Sequence, residues 1–188
     1  MANVTVAYFD QTTPANIDEV LRLAKKRAGE LGIDTFVVAS TSGRVGVKAA
    51  EVFRGKQVVV VTHVTGYTEP NIQQLTEENR KRILELGSAI HTATHAMGGF
   101  GRAVRVKLGS YQIDEIVANA LRLLGNGLKV ACEITAMAAD AGLVRTDREV
   151  IAIAGSHEGA DTAIVVQPAN VHRFFDMKVK EIICMPRQ

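Results

Sequence analysis

The sequence predicts an α/β fold, a three-layer α/β/α sandwich around a mostly parallel, mixed sheet. Three observations predict it. Strand-like and helix-like stretches alternate along almost the whole chain. The runs "TFVVAS" and "QVVVVTH" are apolar on both faces, as strands covered by helices on both sides are. Apolar residues at helical spacing lie before and between those runs, which gives a βαβ unit.

A short strand, "VTVAYF", opens the chain. The next stretch begins with Asn16 and Glu19 spaced as a capping box, and Ile17, Val20, Leu21, Ala24, Ala28 and Leu31 form its apolar stripe. Gly32 ends that helix. Val45, Ala49, Val52 and Phe53 give the crossover helix its inner face. The loop "VTGYTEPN" leads to a charged helix from Thr76 to Leu86, and "SAIHTA" reads as a short strand. The segment "HAMGGFGRAVRVKLGS" is punctuated by glycine and has no clear period. From Ser110 the stripe Ile113, Ile116, Val117, Ala120, Leu121 and Leu124 marks another helix, stopped by Gly125. "LKVACEIT" reads as a strand entering the helix "AMAADAG", and "EVIAIAG", "TAIVVQ" and "EIICM" supply the last strands.

With 188 residues, 47% of them apolar and 22% charged, the chain fits one globular domain spanning residues 1–188. A net charge of +2, with no basic run and no basic residues interleaved with aromatic ones, points away from nucleic acid. Apolar runs are only strand-length, so no membrane partner is expected. The N-terminus shows no basic segment, long apolar core or cleavage site, and a cytoplasmic location is expected. Cys132 and Cys184 both sit in apolar runs, where buried free thiols are expected rather than a disulfide.

The turn "STSGR" stands where a strand gives way to a helix, the place where α/β sheets bind ligands. Ser40, Thr41 and Ser42 offer hydroxyl donors, Gly43 admits close backbone approach, and Arg44 offers a forked cation beside a helix N-terminus. Those are the groups a phosphate needs. The same residues also suit a plainer reading, with Ser42 capping the helix and Arg44 a solvated charge; composition alone does not choose.

"ASTSGRVGVKAAEVFRGKQVVVVTH" resembles the C-terminal domain of pyruvate kinase, in which a strand, a T-x-S-G-R turn and a helix recur in that order. The helix before the turn, "IDEVLRLAKKRAGELGIDTFVV", shares the resemblance. In allosteric pyruvate kinases that turn holds a phosphate of the sugar bisphosphate activator. "IAIAGSHEGADTAIVV" resembles the second effector loop of the same domain. Read physically, Gly155 and Gly159 permit the positive φ of a tight loop, while Ser156, His157 and Thr162 offer donors; a plain hairpin with a polar tip would look the same. His157 and Glu158 replace the aromatic and basic grip of the pyruvate kinase loop, so a sugar bisphosphate is not expected as the ligand. The catalytic barrel of pyruvate kinase has no counterpart in the sequence, so that activity is not expected either.

Across nearly its whole length the chain is similar to small stand-alone prokaryotic proteins described as pyruvate kinase alpha/beta domain-like. "VVVVTHVTGYTEPN", "GLKVACEITAMAADAG", "GADTAIVVQPAN" and "FFDMKVKEIICMPR" carry that similarity. It implies a bound flavin mononucleotide (FMN), with its phosphate on "STSGR" and its ring across neighbouring strand ends.

Thr62, His63, Thr65, Gly66 and Tyr67 follow the second core strand and are candidates for the ring side, as are His95, Met97 and Gly98. His91 and His95 are four apart, but that stretch begins as a strand and no third ligand is signalled, so no metal is expected. Glu133 is the carboxylate nominated as a general base or ribityl acceptor, with a dipole-favoured helix carboxylate as its bland alternative. Met137 is either a flavin contact or core filler, and Asp161 is placed to fix its own turn. The leading reading is a binding domain for a phosphorylated small molecule. A flavin-dependent oxidoreductase using Glu133 or His95 for proton transfer, and a ligand-free structural or regulatory homo-oligomer, are the alternatives.

Overall fold

In the structure, a computed structural model that describes residues 4–156 and 159–187, a seven-stranded sheet takes the order β1-β7-β6-β5-β2-β3-β4. The strands are β1 (Ala7–Phe9), β2 (Thr35–Ala39), β3 (Gln57–Val61), β4 (Ala89–His91), β5 (Val150–Ala154), β6 (Thr162–Gln167) and β7 (Lys178–Pro186). The β1·β7, β2·β3, β2·β5 and β3·β4 pairings are parallel, whereas β6 runs antiparallel to both β5 and β7. Six strands therefore point one way and β6 alone is reversed, the mixed sheet the sequence predicts.

Helices cover both faces. α1 (Asn16–Leu31), α2 (Arg44–Val52) and α3 (Glu77–Glu85) pack on one side, where Phe36 and Val38 of β2 point. α5 (Ile113–Leu121) and α6 (Asn126–Asp140) pack on the other, with Val37. Alternate residues of β2 thus enter opposite cores, which explains why "FVVA" shows no apolar/polar alternation. Phe36 stacks on Phe53 with ring centroids 3.8 Å apart, tying β2 to the end of α2. Among the described residues no helix is long and apolar enough to cross a membrane.

Four local expectations are corrected. "LKVACEIT" is not a strand but the body of α6; the stretch is apolar nearly all round because the helix is buried nearly all round, and such a run has no diagnostic period. The unperiodic segment after His95 contains a helix, α4 (Phe100–Leu108), whose pattern is blurred because Phe100, Val106 and Leu108 face solvent. Asn16 does not cap α1: its Oδ1 accepts from the Thr13 N–H and hydroxyl, while Glu19 pairs with Arg22. Gly155 does not have the positive φ expected of it; it is glycine because a Cβ there would lie 2.7 Å from the Gly159 carbonyl oxygen.

Cys132 and Cys184 are both buried free thiols, one in each core. Burial pushes Cys132 up to about 11 and Cys184 up to about 12. Neither thiol should react with Ellman's reagent at mild alkaline pH in the native protein, and both should react once it is unfolded; rapid native labelling would contradict this packing.

Candidate functional site

The chain order makes a crevice. From β2 the strands step outward through β3 to β4; the chain then returns through α4, α5 and α6 to place β5 on the other side of β2. α2 leaves β2 on one face of the sheet and α6 enters β5 from the other. Such a switch point opens a cleft beyond the carboxyl ends of the strands. Here it encloses about 310 Å³, at the small end of ligand pockets.

The β2–α2 turn supplies one wall. Ser40, Thr41 and Ser42 line the cleft. Ser40 donates its N–H to the Val61 carbonyl at 3.0 Å, and its Oγ accepts from the Gly46 N–H at 3.0 Å, so Ser40 rather than Ser42 serves the first turn of α2. The N-cap is Gly43, with φ 97°. A Cβ there would strike Asn79 Cβ at 2.5 Å and Leu75 Cδ1 at 2.6 Å, so this position needs glycine for both conformation and space. The Ser42 carbonyl accepts from Asn79 Nδ2 at 2.9 Å, which pins the turn to α3. Arg44 is the exposed first residue of α2 and is not part of the cleft lining.

The segments after β3 and β4 supply a second, aromatic wall. Thr62 and His63 line the cleft, joined by Tyr67 and His95. Tyr67 lies 4.2 Å from the His63 ring and 5.3 Å from the His95 ring. Thr65 and Gly66 are exposed on the loop and stand outside the cleft lining. His63 Nδ1 is 2.7 Å from Gln74 Oε1. His95 Nε2 accepts from the Val64 N–H at 3.3 Å, which leaves the neutral ring's proton on Nδ1. Burial, the first cause, holds His95 down at about 4; nearby Glu133 opposes the shift, while His63, Arg102 and Lys129 favour it.

α6 forms the third wall with Asn126, Lys129, Glu133 and Met137. Glu133 sits in mid-helix, 5% exposed, ion-paired with Lys129, itself 4% exposed. Its other oxygen accepts from the Met97 N–H at 2.8 Å. Both oxygens are thus engaged within the chain, and Glu133 still lines the cleft. Gly98 is buried beneath Arg102, whose Nη2 would lie 3.0 Å from a Cβ there.

The β5–β6 loop closes the rim. Gly155 and Gly159 line the cleft; Ser156, Asp161 and Thr162 do not. Asp161 is fully buried and accepts from the Ser156 N–H at 3.1 Å and the Thr162 hydroxyl at 2.6 Å, so it fixes its own turn. Burial raises its carboxyl, and those two bonds pull it back. His157 and Glu158 lie outside the described residues.

Sequence reasoning missed the cations of this cleft. Arg102 on α4, Arg122 beyond α5, and Lys129 stand against Glu133 as the sole lining carboxylate among the described residues. The Arg102 guanidinium lies over the Tyr67 ring at 5.1 Å, and its buried Nε has no hydrogen-bond partner among the described residues. The signal in the sequence was "GGFGRA", a glycine-rich entry to a helix carrying an arginine.

A family model described as pyruvate kinase, alpha/beta domain, matches residues 18–166. The chain belongs to that family. Among solved structures, a pyruvate kinase from Cryptosporidium parvum is similar at 10% identity and a TM-score of 0.42, over 86% of this chain and 24% of that one. A second structure, Cryptosporidium parvum pyruvate kinase in complex with ADP, is similar at 13% identity and a TM-score of 0.41, over 86% of this chain and 25% of that one. The chain thus spans about a quarter of the length of the pyruvate kinases it matches. An NMN synthetase from Francisella tularensis is similar at 16% identity and a TM-score of 0.39, over 74% of this chain and 54% of that one.

Two outcomes follow from the buried groups. Glu133→Ala should cost about 3–5 kcal/mol in urea unfolding, because Lys129 is left buried without its counter-ion, and the pair Lys129→Met/Glu133→Leu should recover most of that loss. His95 has a folded value of about 4 against an ordinary 6.5, so its contribution to stability is present above pH 6.5 and is lost as pH falls toward 4. NMR titration of the His95 ring should show a neutral ring at pH 6, and a charged ring there would overturn the assignment.

Proposed function

We propose that the protein is a cytoplasmic binding domain whose cleft takes a phosphorylated small molecule, and that flavin mononucleotide is a ligand of the right design. The observation that carries this reading is Arg102, whose buried Nε has no acceptor among the described residues while the side chain lines a cleft where those residues supply three cations and one carboxylate. Few buried donors go unpaired in native structures, and a ligand oxygen in the cleft supplies the acceptor.

The two ends of the cleft suit different parts of such a ligand. At the β2–α2 turn the hydroxyls of Thr41 and Ser42, the start of α2, and Gly155 and Gly159 on the same cleft favour a phosphate. Tyr67, His63 and His95 offer ring faces to a planar heterocycle, and His95 brings a neutral Nδ1–H donor. The Arg102 guanidinium beside Tyr67 favours electron-rich ring carbonyls. A bound flavin supplies redox chemistry; these residues bind it, orient it and present hydrogen bonds to it.

Freshly purified protein should retain visible flavin absorption. Flavin mononucleotide at about a hundredfold excess over Kd should stabilise the fold by about 2.7 kcal/mol, seen as a rise in Tm of roughly 5–10 °C. Riboflavin, which lacks the phosphate, should bind at least tenfold more weakly, and Arg102→Ala should weaken binding by roughly 10- to 100-fold. A colourless protein whose Tm ignores flavin mononucleotide would remove the flavin, and equal binding of riboflavin would remove the phosphate from the turn.

A further inference from the structure

Spacing in "STSGR" nominates Arg44 as the cation for a phosphate, but Arg44 is exposed on α2 and stands outside the cleft lining. Another guanidinium lines the cleft. Arg122 opens the 3-10 turn Arg122–Leu124 that follows α5. Its Nε donates to Asn126 Oδ1 at 3.3 Å and its Nη1 to Asn119 Oδ1 at 2.8 Å. Asn126 Nδ2 in turn donates to the Gly155 carbonyl at 3.4 Å, which ties this side chain to the β5–β6 rim. Among the described residues Nη2 has no hydrogen-bond partner and the guanidinium has no carboxylate partner. Two asparagines thus hold Arg122 without cancelling its charge, whereas Arg105 spends its charge on Glu115.

Sheet register identifies the end of the cleft that Arg122 serves. Val38 of β2 lies opposite Ile153 of β5. Two residues further along, that register sets Ser40, the first residue of the turn, beside Gly155. His63 and His95 follow β3 and β4, on the other side of β2. With strands ~4.8 Å apart, the gap between β5 and β2 lies roughly 7–12 Å from those two strand ends. One cation cannot serve both places. Arg102, over the Tyr67 ring at 5.1 Å, belongs to the ring end, and Arg122 belongs to the rim.

From this placement we infer that Arg122 is the phosphate-selecting residue of the cleft. The inference rests on the reading of the cleft as a site for a phosphorylated molecule and names the group that recognises the phosphate. A guanidinium already oriented by its neighbours loses little freedom on binding, and Nη2 is left to donate to a phosphate oxygen. The hydroxyls of Thr41 and Ser42 and the start of α2 complete the donor set. A side chain that merely tied the 3-10 turn to α6 would affect every ligand alike. One that reads a phosphate separates flavin mononucleotide from riboflavin.

Calorimetric titration of the full chain with these two flavins tests the inference. Arg122→Ala should weaken flavin mononucleotide about tenfold and leave riboflavin within about twofold, so that the preference for the phosphorylated flavin is lost. Arg122 is exposed, so far-UV circular dichroism should not change. Arg122→Lys keeps a charge without the fork and should restore only part of the preference. Arg102→Ala should weaken both flavins alike, and Arg44→Ala should weaken neither. A preference that survives Arg122→Ala, or a loss that riboflavin shares equally, would overturn the inference and leave the flavin reading standing. If the wild-type chain binds neither flavin, that reading falls, and inorganic phosphate decides the role of Arg122. A rise in Tm with phosphate that Arg122→Ala removes supports it; a rise that survives the substitution, or no rise at all, overturns it.

Discussion

The buried pair of Lys129 and Glu133 is the constraint on which the cleft depends. Two charges, each about 5% exposed or less, persist in an interior only when their bonding is complete. Glu133 meets that demand by taking Lys129 on one oxygen and the Met97 N–H on the other. The second bond sets the segment after β4 against α6. His95, two residues before Met97, then accepts from the Val64 N–H and so holds the loop after β3. One carboxylate thereby registers three separate pieces of chain around one opening.

The sheet supplies the opening itself. Reversing β6 between β5 and β7 brings the β5–β6 connection back over the carboxyl edge, beside the β2–α2 turn. Close contact then fixes that rim. A Cβ on Gly127 would lie 2.1 Å from the Thr162 hydroxyl, and one on Gly155 would lie 2.7 Å from the Gly159 carbonyl oxygen. Asp161 completes the corner by bonding the residues on both sides of the loop. The start of α6, the rim and the floor of the cleft are therefore mutually located by steric exclusion as much as by hydrogen bonds.

This division explains what could be read from the residues alone. The βαβ unit was legible because Val45, Ala49 and Phe53 face one core while "FVVA" and "VVVV" are buried on both sides, a pattern with no competing interpretation. The β2–α2 turn was legible as a place because a strand end before a helix start is a local signal. Its internal wiring was not: the hydroxyl that reaches the helix belongs to Ser40, six residues before Gly46, and nothing in the spacing distinguishes it from Ser42. α6 was misread because a helix buried on every side has no polar face to betray its period. The ring cluster of His63, Tyr67 and His95 joins residues from two strand ends; Arg102 reaches the cleft from α4, whose period the sequence disguises, and Arg122 from the turn that follows α5.

That disguise and the cleft have a common origin in α4 and α5. Arg102 and Arg122 turn inward to line the cleft and Arg105 meets Glu115, so the outward positions are left to Phe100, Ile113, Ile116 and Leu123. Inward cations bring mutual repulsion and partial loss of hydration, a cost that an anion in the cleft would offset. Phe100, Ile113 and Leu123, each at least 80% exposed, leave hydrocarbon in water on the outer side of the same stretch.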